Sequence, residues 1–156
     1  MDAASLHAAS ERLRLPTPPA TAEDVTRARD VATRLTAKPA PAFLDQVKAL
    51  RVLDTVEREN RPLEAEVQII TLGRQVAWVA LPGEIFVELG QAIKQRSPFP
   101  TTVVVELANG AIGYVPNQAA YAQGAYEVAS ARCAEGSGEM LVDAALRLLA
   151  AAHRER

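Results

Sequence analysis

The chain has 156 residues, with 17 Lys+Arg against 19 Asp+Glu, a formal charge of −2 and a pI near 5.7. That length is enough for one domain with a core. The near-neutral balance argues against a nucleic-acid binder that works by neutralising phosphates, and no apolar run approaches the ~20 residues needed to span a bilayer. A single cysteine, Cys133, excludes an internal disulfide framework, a Cys-rich zinc module and a CxxC redox site. Two histidines, His7 and His153, lie near opposite ends, so a metal site built from several histidines of this chain is excluded as well.

Met1 to His7 show neither a basic n-region nor an apolar h-region, so they carry no targeting signal, and residues 1–9 are expected to be poorly ordered. Ser10 to Leu15 reads as a short edge strand, stopped by Pro16, Pro18 and Pro19. Thr21 is a helix N-cap with Glu23 and Asp24 in the first turn, and Val25, Ala28, Ala32 and Leu35 share one helical face. Pro39 and Pro41 end that helix. A second follows, with Phe43, Val47, Leu50 and Leu53 inward, and both helices are expected to cover a sheet without carrying chemistry.

From Leu63 the period changes to two, and Ala65, Val67, Ile69 and Thr71 alternate with Glu64, Glu66, Gln68 and Ile70. Leu72-Gly73-Arg74 turns the chain into Gln75–Leu81, a central, buried strand of a β-hairpin, with Trp78 in the core. Pro82-Gly83 breaks that strand, and a helix from Glu84 to about Gln95 is predicted, with Ile85, Phe86, Leu89 and Ile93 inward. Thr101–Leu107 is rich in β-branched residues and reads as a further buried strand, turned by Ala108-Asn109-Gly110. Tyr114-Val115-Pro116 is short and extended, Asn117 caps a brief helix through Gln123, and Tyr126–Ser130 is extended. The last helix runs from Glu139 to about His153 through Leu141, Ala145, Leu148 and Ala152. Strands alternating with helices give an α/β, or α+β, layered fold: a mixed sheet with flanking helices.

Three places put polar groups at the ends of apolar strands, where a rigid scaffold positions functional side chains. Glu84, after Leu81-Pro82-Gly83, either complements a helix dipole or is a fixed carboxylate of the kind that serves as metal ligand or general base. Glu106 to Gly110 is most simply a turn. Tyr114, Tyr121 and Tyr126 are all the tyrosines of a chain only 4% aromatic. They either pack a loop onto the sheet or supply phenolic oxygens as metal ligands or hydrogen-bond donors to an oxyanion. Cys133 has no histidine beside it and is set aside as a nucleophile. His7 and His153 are taken as solvated surface residues. Lys94 and Arg96 are too few for an anion site.

The strings WVALPGEIFVELG, TTVVVELANGAIGYVPNQAAYAQGAYEV and GSGEMLVDAALRLL resemble the C-terminal part of the catalytic region of the neutral/alkaline ceramidase family, and most closely its bacterial ceramidase-like hydrolases. The likeness runs from about Ser10 to the last helix. It implies that residues 1–156 are an incomplete part of a larger catalytic domain, in which Zn²⁺-activated water hydrolyses the amide of an N-acyl lipid such as ceramide. By that resemblance Glu84 and Tyr114 are zinc ligands, and Tyr126 helps hold the substrate carbonyl oxygen. Pro116-Asn117 and Ala119-Ala120-Tyr121 stand where the family has Thr-Thr and Glu-Glu-Tyr, which leaves ceramide itself open as the substrate. The family's two histidine ligands and a serine-containing loop lie in segments with no counterpart here. Catalytic zinc needs three protein ligands, so the chain by itself is expected to be inactive, to bind zinc weakly or not at all, and to need the missing N-terminal catalytic portion. The parent family is often secreted or membrane-associated, which leaves localisation undetermined.

Two other functions remain open. One is a non-catalytic α/β remnant or interaction subunit whose uncovered strands lead to self-association. The other is a small-molecule binding domain built on the tyrosine cluster, with Glu84 remote from it.

Overall fold

A computed structural model describes residues 5–154. The alternation in the first half of the sequence becomes a four-stranded mixed sheet in the order β1-β2-β3-β5. β1 (Leu6–Leu15) and β2 (Leu63–Leu72) pair antiparallel, from Leu6 opposite Leu72 to Leu15 opposite Leu63. β2 turns through Leu72-Gly73-Arg74 into β3 (Val76–Ala80), also antiparallel, and Gly73 takes a positive φ of 53° there. β5 (Thr101–Val105) pairs parallel to β3, with Trp78 opposite Val103. A second, two-stranded sheet is formed by β4 (Glu84–Ile85) and β6 (Tyr114–Val115), again parallel.

One face of the large sheet is the core. Val67, Ile69, Ala77 and Val79 are fully buried there beneath Leu89 and Ile93 of α3 (Val87–Arg96) and Leu141, Ala145 and Leu149 of α5 (Ser137–Arg154). α5 approaches closely because Gly138 has no side chain: a Cβ there would lie 2.5 Å from the Leu89 Cδ1 and 2.9 Å from the Pro116 carbonyl oxygen. The amphipathic reading of this helix is correct, with Leu149 rather than Leu148 at full burial.

Several expectations change. β1 begins at Leu6, so part of the stretch expected to be poorly ordered is paired strand, while residues 1–4 lie outside the described residues. α1 (Ala22–Thr33) starts at the N-cap Thr21 as expected, with Asp24 closing a capping box, but it and α2 (Phe43–Glu57) pack on each other around Ala28, Val31, Ala49 and Val52 instead of covering the sheet. Phe43 and Leu50 point outward, because the smaller Ala49 and Val52 permit the close helix contact. β5 is an edge strand with Val103 and Val105 partly exposed, and Trp78 lies half-buried on the sheet's outer face. β-Branched residues favour both central and edge strands, so composition could not separate the two.

Candidate active site

The chain break at Pro82-Gly83 does not start a helix. It re-aims the strand. The amide of Glu84 donates to the Gly113 carbonyl at 3.0 Å and that of Phe86 to the Val115 carbonyl at 3.2 Å, which makes Glu84–Ile85 a strand beside Tyr114–Val115. Gly83 is required for this approach, since a Cβ there would sit 2.8 Å from the Gly113 oxygen and 3.0 Å from the Val115 side chain. The loop after β5 is stitched to the same break: Ile112 N–H donates to the Pro82 carbonyl (2.7 Å), and Leu107 N–H to that of Gly83 (3.2 Å). Glu84 therefore lies outside α3, whose N-cap is Phe86, and the helix-dipole explanation of this carboxylate is removed.

Glu84 and Tyr114 are register partners across β4 and β6. The Tyr114 phenol faces the Glu84 carboxylate, and the interaction with that carboxylate is the main cause that raises the phenol's pKa above its ordinary value, followed by desolvation and by smaller contributions from Tyr126 and Glu127. Tyr126 meets Tyr114 edge-to-face, with ring centroids 5.9 Å apart. It belongs to α4 (Tyr126–Ser130), a short helix where extended chain was expected, closed by the Ala129 N–H bond to the Ala125 carbonyl. The structure thus gathers Glu84, Tyr114 and Tyr126 in one place.

Tyr121 leaves the cluster. Its hydroxyl donates to the Cys133 carbonyl at 3.1 Å, and burial pushes its pKa up. Cys133 is buried, its thiol pKa also raised by burial, and its Sγ lies 3.9 Å from the Tyr114 carbonyl, so it is packing behind β6. His153 stacks edge-on against Phe99 and touches Arg74 at the hairpin turn, at the end of the sheet away from Glu84, and is less solvated than expected.

Two features escaped the sequence reading. Phe43, at the start of α2, stacks on Tyr126 with centroids 5.6 Å apart, so α2 borders the site after all. Behind it, Asp54 of α2 accepts two hydrogen bonds from Arg132, at 2.9 and 3.1 Å, and one from Arg58 at 2.9 Å. Burial alone would raise the Asp54 pKa, but the hydrogen bonds from Arg132 and Arg58 outweigh it and the pKa falls. The Arg132 stem passes 4.0 Å from where a Gly113 Cβ would stand, so this pair ties α2 to the start of β6. Neither signal is local: each joins residues far apart in the chain.

Glu84 and Tyr114 offer two oxygen donors side by side. Among the described residues no group of three or more His, Cys, Asp or Glu side chains could hold a metal ion. The donors fit one edge of a zinc site and not a complete one.

No protein-family model and no curated protein matches the chain. Among solved structures, the chain is similar to the neutral ceramidase from Pseudomonas aeruginosa at 21% identity and a TM-score of 0.59, over 94% of this chain and 29% of that one. A structure described as a ceramidase complexed with C2 matches at 22% identity and a TM-score of 0.47, over 55% of this chain and 15% of that one. The chain spans under a third of the length of either protein. It is an α+β chain with the fold of a part of neutral ceramidase.

Proposed function

We propose that this chain is the C-terminal part of the catalytic domain of a ceramidase-like hydrolase that cleaves an N-acyl amide, with a ceramide-like lipid as the substrate class. The observation that carries this reading is the juxtaposition of Glu84, Tyr114 and Tyr126 at the β4–β6 pair. The shared fold with part of neutral ceramidase supports it.

In this reading Glu84 and Tyr114 contribute two donors to a zinc site whose remaining ligands lie on polypeptide outside these 156 residues. The ion, once fully ligated, supplies Lewis-acid chemistry. The β4–β6 pairing holds the Glu84 carboxylate beside the Tyr114 phenol. Tyr126, held between the rings of Tyr114 and Phe43, aims its hydroxyl at the substrate carbonyl oxygen, where negative charge develops.

The test has two parts. By equilibrium dialysis the 156-residue chain binds zinc weakly. Joined to the polypeptide encoded directly upstream, it binds zinc tightly and releases fatty acid from an N-acylsphingosine. In that assembly Tyr126→Phe lowers kcat roughly 100-fold or more, and Glu84→Gln and Tyr114→Phe lower zinc affinity. Unchanged zinc affinity in both of the latter variants would overturn the reading. A chain that binds no zinc in any assembly is instead a non-catalytic remnant, the reading favoured by the missing third donor.

A further inference from the structure

A cavity of about 430 Å³ lies between α2, α4 and the proline segment that follows β1, and neither Glu84 nor Tyr114 lines it. That volume is in the range of small-molecule sites. Its wall is held by bonds between distant segments: the Ala134 N–H donates to the Pro16 carbonyl at 2.7 Å, and the Tyr121 hydroxyl to the Cys133 carbonyl at 3.1 Å. Pro18, Pro19 and Val128 give the cavity apolar sides. Its charged lining residues are Lys48, Arg51 and Glu135, two cations against one carboxylate.

Arg51 stands apart from the other arginines of this region. Arg58 and Arg132 both pair with Asp54. The Arg51 Nε is buried without an acceptor, and among the described residues its guanidinium makes no ion pair. Asp24 of α1 feels the Arg51 charge, but its carboxylate is taken up by the amide and hydroxyl of Thr21. Tyr121 feels that charge too, and its hydroxyl hydrogen already goes to Cys133. A partly buried guanidinium without an acceptor is unfavourable. Because its Nε is shielded, a ligand meets the terminal nitrogens, which suit a carboxylate.

We infer that this cavity binds a small monocarboxylate with a short aliphatic tail. The carboxylate pairs with Arg51 and Lys48, and the tail lies along Pro18, Pro19 and Val128. The excess of one positive charge in the lining matches a monoanion, whereas a phosphate dianion would leave a negative charge uncompensated near Glu135. The site is separate from the Glu84–Tyr114 pair and stands whether or not the chain belongs to a hydrolase.

Titration of the 156-residue chain with n-octanoate, kept below its micelle concentration and followed by calorimetry and by amide NMR shifts, tests the inference. Octanoate binds saturably, and the shifts centre on residues 48–51, 121–124 and 128–135. Arg51→Gln weakens binding about 10-fold or more. Lys48→Gln weakens it roughly 3-fold and Glu135→Gln strengthens it roughly 3-fold. A gain of that kind cannot come from a loss of structure. Lys48 and Glu135 are exposed, so their variants carry the test where Arg51→Gln does not fold. The uncharged 1-octanol binds about 10-fold more weakly than octanoate or worse. Absence of saturable octanoate binding overturns the inference, and so does unchanged affinity in a folded Arg51→Gln or in both exposed variants. Equal binding of 1-octanol overturns it as well, since the cavity is then merely apolar. Inorganic phosphate bound as tightly as octanoate also overturns it, because the tail then has no role.

Discussion

Tyr114 and Glu84 stand opposite each other across a two-residue parallel ladder, and the carboxylate raises the phenol's pKa, although the two residues belong to chain segments separated by a helix and a strand. Ionising the phenol would place two negative charges side by side, so its pKa is raised, with the interaction with Glu84 as the main cause. Glu84→Gln removes that charge, and the Tyr114 titration moves down toward the ordinary phenol value of about 10. Ultraviolet titration of tyrosinate absorbance, with Tyr121→Phe and Tyr126→Phe backgrounds to isolate the signal, reads this. A midpoint that stays put contradicts the contact.

Gly83 is the closest approach in the site. Gly83→Ala drives a methyl group into the Gly113 carbonyl and Val115. It is expected to cost about 1–3 kcal/mol, a fall in Tm of roughly 3–10 °C for a chain of this size. Gly124→Ala is the comparison. It has a φ of +65° but nothing within 4 Å, so only the backbone cost of roughly 1 kcal/mol applies. Thermal unfolding by circular dichroism separates the two, and equal losses would sink the close-contact argument.

Asp54 links α2 to Arg132 and is held below the ordinary carboxylate range despite the opposing effect of its burial. A depressed pKa in the folded state contributes stability that is fully present above the unfolded value near 3.9 and is lost as pH falls through the folded value. Asp54→Asn removes that contribution, and the variant's acid limb flattens below about pH 4. At neutral pH the loss is about 1–2 kcal/mol, discounted because the side chain is one-third exposed. Urea unfolding between pH 3 and pH 7 measures both effects.

Phe43 is 65% exposed yet stacked on Tyr126. Phe43→Ala should cost little stability, about 0.5–1.5 kcal/mol at most, while releasing the Tyr126 ring. Side-chain couplings of Tyr126 measured by NMR report the change as a shift from one rotamer to averaging. An unaltered rotamer would mean that Tyr114 alone positions the ring.

What could be read in the sequence was local. The Thr21 N-cap, the alternation of β2 and the Asn117 cap are each written within a few residues, and each is found. Glu84 is the instructive miss. Pro-Gly-Glu reads as well for a helix start as for a redirected strand, and only its distant partner Tyr114 decides between them. The inward face of α2 is not legible locally, because large apolar residues occur on both sides of that helix. Phe43 contacts Tyr126, while Ala49 and Val52 make the helix pair. The Tyr114–Tyr126 contact needed both a loop and the 3₁₀ helix Gln118–Gln123 to bend back, which no periodicity announces.

The segment 106–113, laced by backbone bonds to Pro82 and Gly83, sets the phase of β6 against β4. One residue inserted there would turn Tyr114 to the opposite side of its strand and bring a neighbour into its place. The same insertion at the Gly73 hairpin tip, where a side chain on Gly73 would meet nothing within 4 Å, would leave the pairing of β4 and β6 untouched. Length variation among natural or engineered versions of this chain should therefore collect at the hairpin tip and avoid the segment before Tyr114.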